Sequence, residues 1–400
     1  MHVNQHSHLT YCTNVHAGVT WQETFDNCQR YLPEIRTRMT KHSFGIGLRL
    51  SNQAALELLE QQQLPVFKQW LADNQLYVFT LNGFPYGDFH QSSVKAQVHD
   101  PDWTTRERVD YTKRLFTILA ELLPENMDGG VSTSPLSYRL WHMPEQAQQI
   151  KQLAAENLAE IAEFLATIAH KSGKLMHLDI EPEPDGILET SQEFISFYQD
   201  HLLNAGKRKL QSSSGCHAST AEQILYRHIQ LCLDVCHFSV EYENMPKLVA
   251  NILDAGISIG RIQISAAIKA KPDTLNRLQT VEELTAFDEP VYLHQTVLRN
   301  QADHLSRFPD LMPGLEAFAN SDDQELRTHF HVPIFTERYG LIESTQDDIK
   351  TILSIWNNNP FTRYLEVETY TWQVLPKGLQ LDIVSSITRE LHWVLDQIEQ

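Results

Sequence analysis

Short apolar runs that alternate with helix-periodic segments constrain this chain more than any other feature. The runs are LTYCTNVH (9–16), FGIGLRLS (44–51), LYVFTLNGF (76–84), GGVSTSP (129–135), KLMHLDIEPE (174–183), IQLCLDVCH (229–237), RIQIS (261–265), VYLHQTV (291–297), HFHVPIF (329–335) and RYLEVETYTW (363–372). Runs of this length bounded by turn residues read as buried strands. Between most of them lie helical patterns such as WQETFDNCQRYLPEI, QAQQIKQLAAENLAEIAEFLATIAHK and MPKLVANILDAG. Strand and helix in alternation imply parallel strands joined by right-handed crossovers. The first seven runs and the last supply the eight strands of a (β/α)8 TIM barrel in the α/β class. VYLHQTV and HFHVPIF lack the β–α rhythm and fall to an excursion after the seventh strand, at about residues 285–340. Residues 1–400 then form a single domain. An open doubly wound sheet is the competing arrangement, but NVHAGVTW follows the first strand where a Gly-rich phosphate turn would stand.

A barrel of this type presents its chemistry at the C-terminal ends of its strands. The first run ends in His16, the third in Asn82, the fifth in Glu181 and Glu183, and the sixth in Asp234 and His237. The seventh carries Gln263, the excursion His294, His329 and His331, and the eighth Glu366 and Glu368. Carboxylates and imidazoles thus recur at one end of one architecture.

In LDIEPEPDG, Asp179, Glu181 and Glu183 share a strand face by parity. Glu181 is the last acid inside the apolar run, and a carboxylate at a buried rim needs a cation or donors. Glu183 lies beyond Pro182 and is a second-layer group, a substrate contact or solvated. Asp179 lies ~6–7 Å deeper and needs an interior partner; Arg49 is the expected one. Asp234 and His237 have D-x-x-H spacing, which can place oxygen and nitrogen on one ion; the plain alternative is an Asp capping the next helix. His329 and His331 share an extended face and can reach one metal. Of Glu366 and Glu368, one is expected to ligate and the other to act as a base or bind an arginine, with Arg363 at hand. His16 reads as a substrate contact or proton carrier, and Thr20 as the cap of the helix beginning at Trp21. His294, Gln263 and Asn82 are candidate substrate contacts. Trp21, Phe84, Tyr86 and Trp103 read as core, His228 as structural, and Cys236 as a small buried filler.

Composition excludes some partners. Lys and Arg number 32 against 51 Asp and Glu, a net charge of −19 with no dense basic run. Affinity for phosphate backbones rests on a surplus of cations, so no nucleic-acid partner is expected. No stretch of ~20 apolar residues predicts a membrane span. The N-terminus shows no signal-peptide pattern. Five cysteines without CxxC spacing fit a reduced, cytoplasmic chain.

Glu181, Asp234-x-x-His237, the His329-Phe330-His331 element and a final Glu together resemble the xylose-isomerase-like TIM-barrel superfamily, which includes sugar isomerases and epimerases and the endonuclease IV type of phosphodiesterase. That resemblance implies a strand-five Glu, a strand-six Asp with a His three residues on, and a strand-eight Glu around a divalent ion. Gln263 stands where such barrels carry a strand-seven His. More narrowly, LTYCTNVHAGVTW, LDIEPEPDG, YLHQT, HFHVPIF and LEVETYTW look like the metabolite traffic protein EboE family. This implies handling or export of a specialised metabolite, alongside partner proteins of an export system.

Three functions compete. The first is a metal-dependent isomerase or epimerase acting on a small polyol, sugar or related hydroxy-carbonyl compound. Its ion (Mn, Mg or Zn, with Fe also suited to histidine) would be held by Glu181, Asp234, His331 and Glu366, with Glu181, Glu366 and His16 as candidate catalytic groups. The second is a metal-dependent hydrolase of the phosphoesterase kind. The third is a non-catalytic metabolite carrier that keeps the pocket.

Overall fold

The computed structural model describes residues 1–3, 7–88, 90, 94–272, 275–375 and 382–398. Eight parallel strands form the barrel: β1 (His8–Tyr11), β2 (Phe44–Arg49), β3 (Leu76–Asn82), β4 (Gly129–Thr133), β5 (Met176–Ile180), β6 (Ile229–Asp234), β7 (Ile259–Ile264) and, after the added sheet described below, β14 (Tyr364–Val367). Their order is β1-β14-β7-β6-β5-β4-β3-β2. A parallel bridge between Cys12 and Gly47 joins the two ends of that sheet. The strands are buried along nearly their whole length, which is why they read as apolar runs without alternation.

Helices pack outside. The helix Trp21–Met39 begins with a capping box, in which Thr20 and Glu23 satisfy each other's backbone N–H groups. The longest helix, Ala147–Ser172, buries Ile150, Ala154, Leu158, Ile161 and Leu165 at helical spacing and stops at Gly173, whose φ of 74° only a residue without Cβ adopts freely. Among the described residues no helix is long and apolar enough to cross a membrane. The five cysteines carry free thiols.

A second, antiparallel sheet is inserted between β7 and β14. It comprises β8 (Ala266–Ala270), β9 (Thr296–Arg299), β10 (Leu305–Phe308), β11 (Glu325–Val332), β12 (Arg338–Tyr339) and β13 (Ile342–Ser344), in the order β10-β9-β11-β8-β13-β12. Only Ser265 separates β8 from β7, so RIQISAAIKA, one apolar run in the sequence, leaves the barrel at its C-terminal rim. The added sheet therefore starts ahead of the boundary near 285 read from the sequence, because AAIKA carries no turn signal. β11 pairs with β8, and the register breaks between Thr328 and Val332. That irregularity falls on His329-Phe330-His331. A break of this kind re-aims side chains out of the ladder, and here it turns two imidazoles toward the barrel mouth.

Candidate metal centre

His237, His329 and His331 converge. His237 Nε2 stands 3.2 Å from His329 Nε2, which stands 3.3 Å from His331 Nε2. These are not hydrogen bonds, because each ring's proton is committed elsewhere. His237 Nδ1 donates to Pro182 O at 3.1 Å, and His331 Nδ1 to Glu368 O at 2.7 Å. His329 Nδ1 donates to Gln295 Oε1 at 2.8 Å. The Gln295 amide cannot turn over, since its nitrogen donates to Glu183 Oε1 at 3.0 Å and Pro184 O at 2.9 Å. Burial pushes His237 down, His329 well below the ordinary imidazole range and His331 to about 4, so all three rings are neutral. Three Nε2 lone pairs thus face one another with no proton between them. Lone pairs so placed call for an electrophile, and donors on a tetrahedral ion with ~2.0–2.1 Å bonds stand roughly 3.3 Å apart.

Carboxylates complete the cluster. Oxygens of Glu181, Asp234 and Glu368 lie within 4.8 Å of one another, and so do donor atoms of Asp234, His237 and His331. Asp234 is fully buried, and Glu181 and Glu368 are 2% and 4% exposed. Glu181 Oε2 and Asp234 Oδ2 have no hydrogen-bond partner. Burial, then the neighbouring acids, pushes Glu181 and Glu368 well above the usual carboxylate range. Partnerless buried oxygens beside inward lone pairs are the donor set of a divalent cation.

The supports are built in. Asp234 Oδ1 accepts from Ser265 Oγ at 2.7 Å and from the His237 N–H at 3.1 Å, so it caps the short helix Val235–Val240 while aiming Oδ2 inward. Glu368 accepts from Asn14 Nδ2 at 2.6 Å, from Asn82 Nδ2 at 3.1 Å and from Gln263 Nε2. Cys236 lies beside His329 and His331, but burial and the acids push its thiol far up, so it stays a neutral filler.

The cluster forms the floor of a partly open cavity. Glu181, Glu183, His237, His329, His331 and Glu368 line it, as do Asn14 and Asn82. Glu183 is 3% exposed, with Oε1 held by Gln295 and Oε2 without a hydrogen bond. Burial raises its carboxyl to about 8.

Other sequence-read residues sit elsewhere. Glu366 lies deeper in the barrel, 2.8 Å from Arg261 NH1. Asp179 pairs with Arg261 Nε at 3.0 Å and with His177 Nδ1 at 2.5 Å. Arg261, not Arg49, is therefore the interior partner of Asp179. Arg49 sits at the far end of β2 and donates to Gly18 O and Gly87 O. Arg363 precedes β14 and pairs with Asp128 at 3.1 Å, not with Glu366 or Glu368. His16 stacks on Tyr31 at 4.4 Å and bonds Tyr11 Oη at 3.0 Å, in a separate small cavity. His294 bonds His329 O and Glu289, bracing the β11 segment and lining no part of the cavity over the cluster. Gln263 acts through Glu368. Phe84 lines the cavity, while Trp21 and Trp103 are core. His228 is buried and bonds Met176 O.

Sequence reading missed Asn14, Gln295, Tyr370 and His99. Tyr370 packs 4.5 Å from His331 and follows LEVET by one residue beyond Thr369, a signal that was legible. His99 is fully buried beside Glu183, with Nε2 3.8 Å from Oε2. It ends a 3-10 helix, Lys95–His99, too short to leave a periodicity that would mark it.

No family model and no curated protein matches the sequence. Solved structures do. A xylose isomerase-like TIM barrel protein from Mycobacterium smegmatis, in complex with magnesium, is similar over 100% of this chain and 98% of its own, at 11% identity and a TM-score of 0.52. The fold is that of the xylose-isomerase-like TIM barrels. Also similar are a xylose isomerase domain containing protein from Salmonella typhimurium (10% identity, both chains covered over 100%, TM-score 0.49) and the IOLI protein with a binding zinc atom (12% identity, 98% of each chain, TM-score 0.48). At these identities the likeness is one of architecture. Within a xylose-isomerase-like barrel, the site's chemistry has to be argued from this chain's own residues.

Proposed function

We propose that this protein is a metal-dependent isomerase or epimerase of a small hydroxy-carbonyl compound. One observation carries the reading: three imidazoles, each with its proton fixed on Nδ1, turn their lone pairs toward one another beside two acids that each have an oxygen without a partner. Glu181, Asp234, His237, His329, His331 and Glu368 would hold the ion, with Glu366 below them as a structural acid. The mixed set of imidazoles and carboxylates suits Mn or Zn better than Mg. When bound, a divalent cation polarises adjacent oxygens and acidifies the carbon next to a carbonyl.

The chain's own groups do the rest. Glu183 presents Oε2 to the cavity while Gln295 fixes Oε1, so it is placed to take a proton from a bound carbon or return one. Asn14, Asn82 and Gln263 keep Glu368 oriented. His99 backs Glu183 from the protein side and lies outside the cavity lining. We read the barrel and added sheet as one domain, since β11 of the insertion completes the rim site. An EboE-type setting, with a cytoplasmic location and partner proteins of an export system, rests on the sequence resemblance and belongs to this same proposal.

The same imidazoles also suit a hydrolytic centre. Metal analysis of the purified protein, followed by solvent deuterium incorporation into a panel of hydroxy-carbonyl compounds, separates the readings. Stoichiometric metal with deuterium uptake that Glu183→Gln abolishes supports the isomerase. Metal with phosphoester turnover and no deuterium uptake supports the hydrolase. Absence of metal after loading ends both.

A further inference from the structure

The cavity is two-sided. Its floor is the cluster above, which carries the buried acids and imidazoles. Its remaining walls are apolar or aromatic: Phe84, Val94, Val98, Leu293, Tyr292 and Tyr370. Tyr292 and Tyr370 meet edge to face at 5.0 Å. The Tyr292 hydroxyl is engaged by His90 Nδ1 at 2.6 Å, which leaves the ring as the surface it offers.

These walls belong to two segments that are tied together. Val94 and Lys95 donate backbone N–H groups to Val291 O at 2.9 and 3.1 Å. Among the described residues lining the cavity, Lys95 is the one Lys or Arg, and it is spent: its Nζ stands 2.7 Å from Asp310 Oδ2 and 3.4 Å from Glu289 O. Among the described residues, a phosphate or carboxylate on a ligand would meet no unpaired Lys or Arg there and would face a floor rich in acids.

We infer that the cavity takes an uncharged compound with an adjacent pair of oxygens at one end and an apolar, planar or alicyclic body at the other. The inference rests on the metal reading for the oxygen pair, but the apolar walls stand without it. A sugar or polyol would set its distal hydroxyls against Phe84, Val98 and Leu293, side chains that offer no hydrogen bond. An apolar pocket rejects a single added hydroxyl by roughly a hundredfold, and several lost hydrogen bonds compound. A phosphorylated sugar adds an anion without a receptor.

The test uses three probes that share one α-hydroxyketone head and differ in body: 2-hydroxyacetophenone, erythrulose and dihydroxyacetone phosphate. Each is titrated calorimetrically into the full-length protein, metal-loaded and as purified. The expected result is that 2-hydroxyacetophenone binds the loaded protein at least about tenfold tighter than either of the others. Leu293→Asn and, independently, Val98→Asn should each narrow that gap by about tenfold with metal content unchanged. Equal or tighter binding of erythrulose or of dihydroxyacetone phosphate overturns the inference. The metal reading fails separately. If the protein takes up no metal yet still ranks the phenyl compound first, with the ranking lost in both wall variants, the apolar ligand class stands and the metal centre falls. If metal binds and no ranking appears, the ligand class falls and the metal centre stands.

Discussion

Two groups of buried acids share this barrel, and only one contains its own cation. In the interior, Asp179 and Glu366 both bond Arg261, which is 1% exposed. Glycines make room for that layer: a Cβ on Gly47 would fall on Glu366 Oε1, and one on Gly260 on Asp179 Oδ1. At the rim, Asp234 and Glu368 accept hydrogen bonds, but among the described residues no Lys or Arg pairs with Glu181, Asp234 or Glu368, and Glu181 Oε2 and Asp234 Oδ2 find no partner. Acid content is similar, so acid content alone does not mark a site. What marks it is the missing countercharge, together with imidazoles whose lone pairs are turned the same way.

The largest expected effect separates the layers by stability. Arg261→Met strands two interior acids and should cost about 3–5 kcal/mol, read as a fall in the denaturation midpoint whether or not metal is present. A loss under about 1 kcal/mol would show that the interior acids are protonated and need no arginine. Next comes the rim. Removing metal with a chelator should lower stability by about 3–4 kcal/mol relative to protein at a hundred to a thousand times the Kd. Glu181→Gln should abolish that metal-dependent gain, yet leave the metal-free protein as stable or more so, because it relieves like-charge crowding. If Glu181→Gln weakens the metal-free protein as much as the loaded one, the rim is a structural cluster like the interior.

Gln295→Leu should have a smaller effect. It frees His329 Nδ1 from its fixed acceptor and should weaken metal binding by about 10- to 100-fold without loss of the fold. Unchanged affinity would mean the His329 proton is held by another group. The smallest effect is a pH slope in the metal-free protein. Glu183 is raised to about 8 when folded, so the folded state binds the extra proton between the ordinary glutamate range and pH 8. Stability from this group is therefore present at low pH and lost as pH rises toward 8. Above about pH 7.5 the depressed histidines are nearly neutral in both states and add little to the slope. Glu183→Gln should remove a slope of up to about 1.4 kcal/mol per pH unit there. An unchanged slope would assign it to the other acids that burial raises, Glu181, Glu368 and Glu390.

The barrel was legible because parallel strands covered on both faces leave apolar runs, and helices leave a different period between them. Glu181, Asp234 and His237 were legible because they stand where such runs end. Depth was harder. Glu366 and Glu368 have the same parity and both point inward, but β14 ends at Val367, so one lies in the interior and the other at the rim. Partners across the barrel were not legible: Arg261 reaches Asp179 from two strands away, a register that no local pattern encodes. Gln295 was hidden for a related reason. It comes from the insertion, where the β–α rhythm stops and the sequence offers no face or end on which to place it.

The central claim is that one cation belongs among the Nε2 atoms of His237, His329 and His331 and the free oxygens of Glu181 and Asp234. Anomalous scattering from a crystal soaked in manganese or zinc measures this most directly. A peak is expected at that point, lost in an Asp234→Asn crystal soaked in the same way. An empty rim at saturating metal, with the three imidazoles still facing one another, would contradict it.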